Sequence, residues 1–499
     1  MDFDVEYDVV VVGGGGSGKS AAYTVASESD LSVVLLEKMK ETGGTSAYAE
    51  GQCASESSEV KARERPDYPG KLPEDAHFPT CEEHIRNYIT YSHRRANLDV
   101  VKAFVYNSAE TIDILKSIGV VYTHVTNYAF EQPDELYTFH RPDGLGARVQ
   151  ELLLRACENS GVDIFVNTPV KELIFDDGRV AGVKARDEDG NEIRIGAKAV
   201  ILATGGMANN PELIEEYSWM PQLRYTNKAG VPTQNTGDGL KMALSAGADT
   251  DALGTLMVTC CPPGKTAGSH IHGGAIQPTL WVDSKGRRYV NEQVAHSFSD
   301  MGNTIGMLPD GTSFSLFDAD LVRHYMEVGS DIAQGDFCPY GAKLDRFADE
   351  IAQSIEDGDG AAYRADSLEE LAGAIGVGAQ VLRETVDAYN DACDKGVDDD
   401  MGKDPRYLRP IRKAPFVAIK VIPDVLVSCG GIRVNGDMQV TDKNYDPIPG
   451  LYAVGMEASG LYGDTYNLDC PGTANGFAHT SGRLAARHAV KRILEAGVA

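Results

Sequence analysis

Tyr7 to Gly13 (YDVVVVG) form an unbroken apolar, β-branched run, the pattern of a strand buried on both faces. The helical pattern SGKSAAYTVAS follows, and then a second buried run, LSVVLLEK, from Leu31 to Lys38. Between about Val162 and Gly196 the pattern shifts to short strands joined by turns at Asp177-Gly178 and Asp189-Gly190. AKAVILATGG returns to a buried strand ending in glycines. Near Ala252 the alternation stops, and an irregular mixture runs to about Val425. IPGLYAVG then resumes the buried-strand pattern, and GTANGFAHTSGRLAARHAVKRIL reads as a long final helix. The blocks predict an α/β chain whose first domain is split into residues 1–255 and 426–499, with an α+β cap, 256–425, inserted between them. Asp394 to Asp404 (DKGVDDDMGKD) reads as a solvated loop of that cap.

Composition narrows the choice of partners. The 499 residues are 42% hydrophobic, enough for a large core, and carry a net charge of -28. So acidic a surface repels nucleic acid and anionic lipid. No apolar run approaches the ~20 residues of a membrane span, and no leader precedes the first strand, so a cytoplasmic location is expected. The nine cysteines form no paired framework, which suits a reducing compartment. With no C-x-x-C-H haem attachment and no metal site expected, electrons must come from an external donor.

The first glycine loop, GGGGSGKS, satisfies two motifs at once. Gly13, Gly15 and Gly18 give G-x-G-x-x-G, which brings backbone close to a pyrophosphate at a helix N-terminus. The same stretch fits the phosphate loop of ATPases, with Lys19 and Ser20 in place. Glu37 separates them: it ends the second strand, where a dinucleotide fold needs a carboxylate for ribose hydroxyls. A phosphate-loop enzyme needs a later strand ending in Asp, whereas VILATGG ends in Thr204 and glycines. The expected dinucleotide contacts here are Gly13, Gly15, Gly16, Ser17, Gly18, Glu37 and Lys38. Lys19 then reads as a surface residue of the helix.

Four more segments follow in order: ETGGTSAYAEG (Glu41 to Gly51), TPVKEL (Thr168 to Leu173), ATGG (Ala203 to Gly206) and NTGDGLKMA (Asn235 to Ala243). Together they resemble the flavoprotein subunit of the fumarate reductase and succinate dehydrogenase family, with its ketosteroid dehydrogenase relatives. The resemblance implies a Rossmann-like domain holding extended FAD, with substrate between flavin and cap. It implies cofactor contacts from Gly43, Gly44, Thr45, Ser46, Val170, Ala203, Thr204, Gly205 and Asp238. Glu457, Gly472, Thr473 and Ala474 join them near the last helix, whose N-terminal amides face the flavin in such proteins. Some members attach FAD covalently through a histidine in the loop occupied here by Thr45 to Tyr48; its absence implies dissociable FAD.

The same resemblance directs the chemistry. Fumarate reductases place a proton-donating arginine four residues after an Asn-Glu pair; here Asn291 and Glu292 are followed by His296 at that position. The dicarboxylate clamps are emptied: Cys261 replaces a histidine, LVSCGG lacks the paired histidines, and Cys470-Pro471 replaces an arginine-bearing segment. The acid relay E-x-x-R-G is missing too. A neutral, oxygenated polycyclic or phenolic substrate is therefore expected. Tyr462 and Tyr466 are placed beside the flavin, and Asp469 or Glu457 in a proton relay or flavin loop. Cys260, Cys261 and Cys429 read as small pocket-lining residues, with a redox role for them or Cys470 left open. Among relatives the chain resembles the tetrahydrodaidzein reductases, which implies formation of equol. A ketosteroid or enone enzyme, a dicarboxylate enzyme and a phosphate-loop ATPase stand as alternatives, in that order.

Overall fold

The computed structural model describes residues 2–62, 76–127, 136–220, 234–335 and 338–497. Its main sheet is built around the strand Val5–Val12, which pairs in parallel with Val33–Leu36 on one side and Glu192–Leu202 on the other. Asp163–Phe165 extends the parallel run beyond Val33–Leu36, and Pro447–Ala453 lies parallel beside Glu192–Leu202. A strand from near the end of the chain thus returns to the sheet laid down by its beginning. Val9 to Val12 are at most 4% exposed, which is why this strand reads as continuous rather than alternating. The hairpin Val170–Asp176 and Arg179–Arg186 adds antiparallel to Glu192–Leu202, turning at Asp177-Gly178, both with positive φ.

The helices Gly16–Glu28 and Thr473–Gly497 pack against one another. Their backbones approach so closely that a Cβ on Gly482 would lie 2.2 Å from the Ser17 carbonyl oxygen. A second, antiparallel sheet runs Leu256–Cys261, Phe416–Ser428, Ser313–Phe317 and Leu280–Asp283, with Ala362–Ala365 also on the long strand. That long strand continues past Val425, where the sequence pattern put the domain boundary. At its end Ser428 Oγ accepts the Met207 amide at 3.0 Å, tying cap sheet to cofactor sheet. The α/β fold with an α+β unit inserted is the one the pattern predicts.

Lys19 is not on the surface: it is 1% exposed, and its Nζ donates to the Gln150 carbonyl at 3.0 Å. The helix Leu145–Asn159 packs over this face of the first helix, and burial holds the Lys19 ammonium down to about 8. Nor is 394–404 simply a solvated loop. Asp398 and Lys403 are buried and join Arg288 and Glu292 in one network: Arg288 to Asp398 and to Glu292 at 2.8 Å, Lys403 to Glu292 at 3.2 Å. The acidic run hides two charges whose partners lie more than a hundred residues earlier, so local composition misreads it. Glu292 therefore anchors the segment that leads to His296. Among the described residues no helix is long and apolar enough to cross a membrane.

Candidate active site

A cavity of about 780 Å³ runs from the glycine loop, past the end of Val33–Leu36, to the underside of the cap. Backbone shapes its first half. Gly13 has φ +109°, and a Cβ there would lie 2.4 Å from the Ala203 carbonyl oxygen. One on Gly18 would lie 1.9 Å from the Gly13 oxygen. Gly15 differs: a Cβ would meet nothing nearer than 4.0 Å and would project into free space. Gly15 starts the helix with no side-chain cap, leaving first-turn amides at Gly16, Ser17 and Gly18 for a ligand's oxygens. Glu37 lines the cavity, its carboxylate fixed by the amides of Gly14 and Met39, both at 2.8 Å.

Beyond the loop the wall is made by Gly43, Gly44, Thr45 and Ser46 on one side and Thr168, Val170, Ala203, Thr204 and Gly205 on the other. Asn235 joins the two, donating to Thr45 Oγ1 at 3.1 Å and to the Gly205 carbonyl at 2.9 Å. Lys38 and Asp238 also line the cavity and pair at 2.6 Å. Glu457 stands behind this wall, fully buried, and accepts from the Thr204 hydroxyl and the Gly206 amide. Burial raises its carboxyl above the ordinary range. Its visible task is to hold the second glycine turn in place.

Side chains shape the cap half. Gly472, Ala474 and Asn475 line the cavity at the start of the last helix. Gly472 has φ +84°, and a Cβ there would be 2.5 Å from the Phe139 ring. Tyr466 lines the cavity; its ring stacks on Phe298 at 6.2 Å and on Tyr462 at 5.1 Å, and burial raises its phenol to about 12. Tyr462 lies behind it, bonded to Thr473 Oγ1 at 2.8 Å. Cys260 and Cys261 line the cavity, while Cys429 and Cys470 are buried away from it. Burial raises all four thiols, so they behave as small apolar groups rather than thiolates. His272 and Gln334 complete the cap end. Among the described lining residues the only Lys or Arg are Lys38 and Lys40, both just after Glu37 and away from the cap.

His296 is not brought into this cavity. It lines a smaller one of about 290 Å³ with Tyr91, Asp300, Asp469 and Leu468, and Leu468 borders both spaces. The His296 Nε2 meets the Tyr407 hydroxyl at 3.2 Å, and burial lowers its imidazole to about 4. Asp469 accepts from Asn87 Nδ2 at 3.0 Å. Burial raises Asp300, and neighbouring Asp469 adds to the shift.

Residues 8–470 match the sequence profile of a family described as the FAD binding domain. The chain belongs to that family. It is 32% identical to the vinyl phenol reductase of Lactiplantibacillus plantarum, over 97% of this chain and 96% of the relative. It is 28% identical to a cytochrome-type fumarate reductase of Shewanella frigidimarina, over 97% of this chain and 77% of the relative. Its fold matches a 3-ketosteroid Δ4-(5α)-dehydrogenase from Rhodococcus jostii, with TM-score 0.74 and 22% identity over 98% of both chains. It is an FAD-dependent oxidoreductase, and the open space at Gly15, the uncapped helix and Glu37 all fit FAD. The phosphate-loop alternative fails on geometry, because Lys19 points to Gln150 instead of the cavity.

Sequence reasoning missed His272, Asp300 and Tyr91, and also Glu50. Glu50 lines the cavity near Arg141, at 3.8 Å, and burial raises its carboxyl to about 7. The run HIHGG, opened by the capping Ser269, was the available signal for His272.

Proposed function

We propose that this FAD enzyme reduces a neutral, hydroxylated aromatic substrate bound between the flavin and the cap. The observation that carries the reading is the cap end of the cavity: aromatic rings, neutral thiols, a histidine and an amide, with no described Lys or Arg to hold a carboxylate. The similarity to a vinyl phenol reductase over nearly the whole of both chains supports the phenolic class.

Bound FAD, reduced by an external donor, supplies a hydride. The remaining work falls to the chain. Tyr466 and Phe298 offer ring faces to an aromatic substrate. Gly472, Ala474 and Asn475, which line the cavity at the start of the last helix, would hold the flavin ring there. His296, Asp300, Asp469 and Tyr91 serve as a proton store in the smaller cavity, which shares Leu468 with the main one. Reduction of a C=C takes up one hydride and one proton; replacement of a benzylic hydroxyl takes up the same and releases water. The second is the conversion of tetrahydrodaidzein to equol, our specific proposal for this chain. A ketosteroid or enone substrate is the second reading, favoured by Tyr466 in the cavity wall, where its phenol could bond a carbonyl oxygen.

The test is anaerobic mixing of reduced holoenzyme with tetrahydrodaidzein, 4-vinylphenol, a 3-ketosteroid or fumarate, with products identified by mass. Reoxidation by a phenol, with equol formed from tetrahydrodaidzein, supports the proposal. Reoxidation by fumarate alone overturns the phenolic class, and turnover of 4-vinylphenol without equol overturns the specific substrate.

A further inference from the structure

Glu50 lines the main cavity one residue before Gly51, on the segment that enters the short strand Gln52–Cys53. That segment is stitched to the start of the last helix. Asn475 Nδ2 donates to the Gly51 carbonyl at 3.2 Å, and the Cys53 amide donates to the Gly472 carbonyl at 2.9 Å. The backbone has no slack, since a Cβ on Gly51 would lie 2.5 Å from the His140 carbonyl oxygen. Glu50 is thus held close to the wall formed by Gly472, Ala474 and Asn475. Its side chain is 11% exposed, enough to exchange protons with water. Arg141 Nη1 stands 3.8 Å from Oε2, beyond hydrogen-bond reach, and Oε1 is buried with no hydrogen-bond partner among the described residues. Burial raises the carboxyl to about 7 despite the pull of Arg141. The neighbouring titratable groups add no charge near neutrality. His140, bonded to Ser57 Oγ at 2.6 Å, is lowered by burial to about 4. His124 is lowered by burial and by Arg141, and burial raises the Tyr466 phenol of the same cavity to about 12.

We infer that Glu50 is a redox-linked proton site, binding a proton when the flavin beside it is reduced and releasing it when the flavin is reoxidised. The inference rests on the placement of the flavin ring at the start of the last helix. The oxidised ring is neutral. Two electrons from an external donor and one proton from water leave the reduced ring with one negative charge, which the helix N-terminus favours. An ionised Glu50 adds a like charge in a poorly solvated wall, and a second proton, bound to the carboxyl, removes it. Reduction then stores two electrons and two protons in the cavity. Those are the hydride and the proton that a C=C takes up, so reoxidation returns ring and carboxyl to their starting states.

The test is a spectroelectrochemical titration of the holoenzyme flavin between about pH 7.5 and 8.5, with no substrate present. One proton per two electrons changes the equilibrium tenfold per pH unit, about 30 mV; two protons change it a hundredfold, about 60 mV. Wild type should follow the steeper slope. Glu50→Gln, which keeps the shape and loses the titration, should follow the shallower one. The shallower slope in wild type overturns the inference without recourse to any variant, and so does a steeper slope that persists in Glu50→Gln. Ala474→Asp reports the place of the ring independently, because an acid is tolerated in the first turn of a helix. It should lower the potential at every pH or weaken FAD binding. That effect, together with the shallower slope in wild type, removes Glu50 alone. An Ala474→Asp variant unchanged in both respects overturns the placement of the ring, and the inference with it.

Discussion

The two halves of the cavity are built from different materials. At the nucleotide half, the chain's own backbone sets the shape: glycines 13, 15 and 18, helix amides without a cap, and one carboxylate pinned by two amides. At the cap half, side chains from segments far apart in sequence set it: His272, Phe298, Gln334, Tyr466 and the two adjacent cysteines. Backbone shape tolerates few residue types and repeats across a family. Side-chain walls can be exchanged one residue at a time, so one FAD cradle serves many substrates. The same contrast exists within the loop. Gly13 and Gly18 are required by neighbouring protein atoms, Gly15 only by what binds.

The largest effect that tests this contrast is Gly18→Ala. Its Cβ would lie 1.9 Å from the Gly13 oxygen, so we expect little folded, flavin-loaded protein after expression and gel filtration. Acid comes next. Burial holds His84 and His479 at about 3, and His140 and His272 at about 4, against about 6.5 in an unfolded chain. Between pH 6.5 and 4 the unfolded state binds more protons, so stability present above pH 6.5 is lost as pH falls. Each group contributes up to about 1.4 kcal/mol per pH unit in that window. Glu50, raised to about 7, acts with the opposite sign between pH 4.5 and 7 and offsets one of the four. Melting temperature should therefore fall steadily from pH 6.5 to 4; a flat profile would show that these histidines are not buried neutral.

If the proposed proton store serves the reaction, His296→Ala should retain FAD and lower turnover about 10²-fold, checked by steady-state assay and flavin spectrum. Unchanged turnover would remove His296 from the reaction. The smallest effect, Gly15→Ala, isolates the cofactor. The apoprotein should melt within about 0.5 kcal/mol of wild type, since the new methyl touches nothing. FAD affinity should fall about tenfold or more in a fluorescence titration.

The same division explains what the sequence made legible. The strands Val5–Val12, Val33–Leu36, Glu192–Leu202 and Pro447–Ala453, and the hairpin turn at Asp177-Gly178, were readable because each depends on local pattern. Cofactor candidates in the first loop were readable from glycine spacing, those from Gly43 to Ala474 only through the family resemblance, and most of them line one cavity. Lys19 was misread because its cover, the helix Leu145–Asn159, lies 126 residues further on and leaves no mark on the loop. Asp398 and Lys403 were misread for the same reason, their partners being Arg288 and Glu292.

If the cavity pairs an FAD cradle with a substrate end suited to a neutral phenol, as proposed, the reduced flavin should discriminate sharply between a phenol and a dicarboxylate. Anaerobic stopped-flow reoxidation of the reduced holoenzyme by 4-vinylphenol and by fumarate at equal concentration measures that discrimination. We expect rapid recovery of the oxidised flavin spectrum with the phenol and none with fumarate. Rapid recovery with fumarate and none with the phenol would rule out the phenolic substrate class.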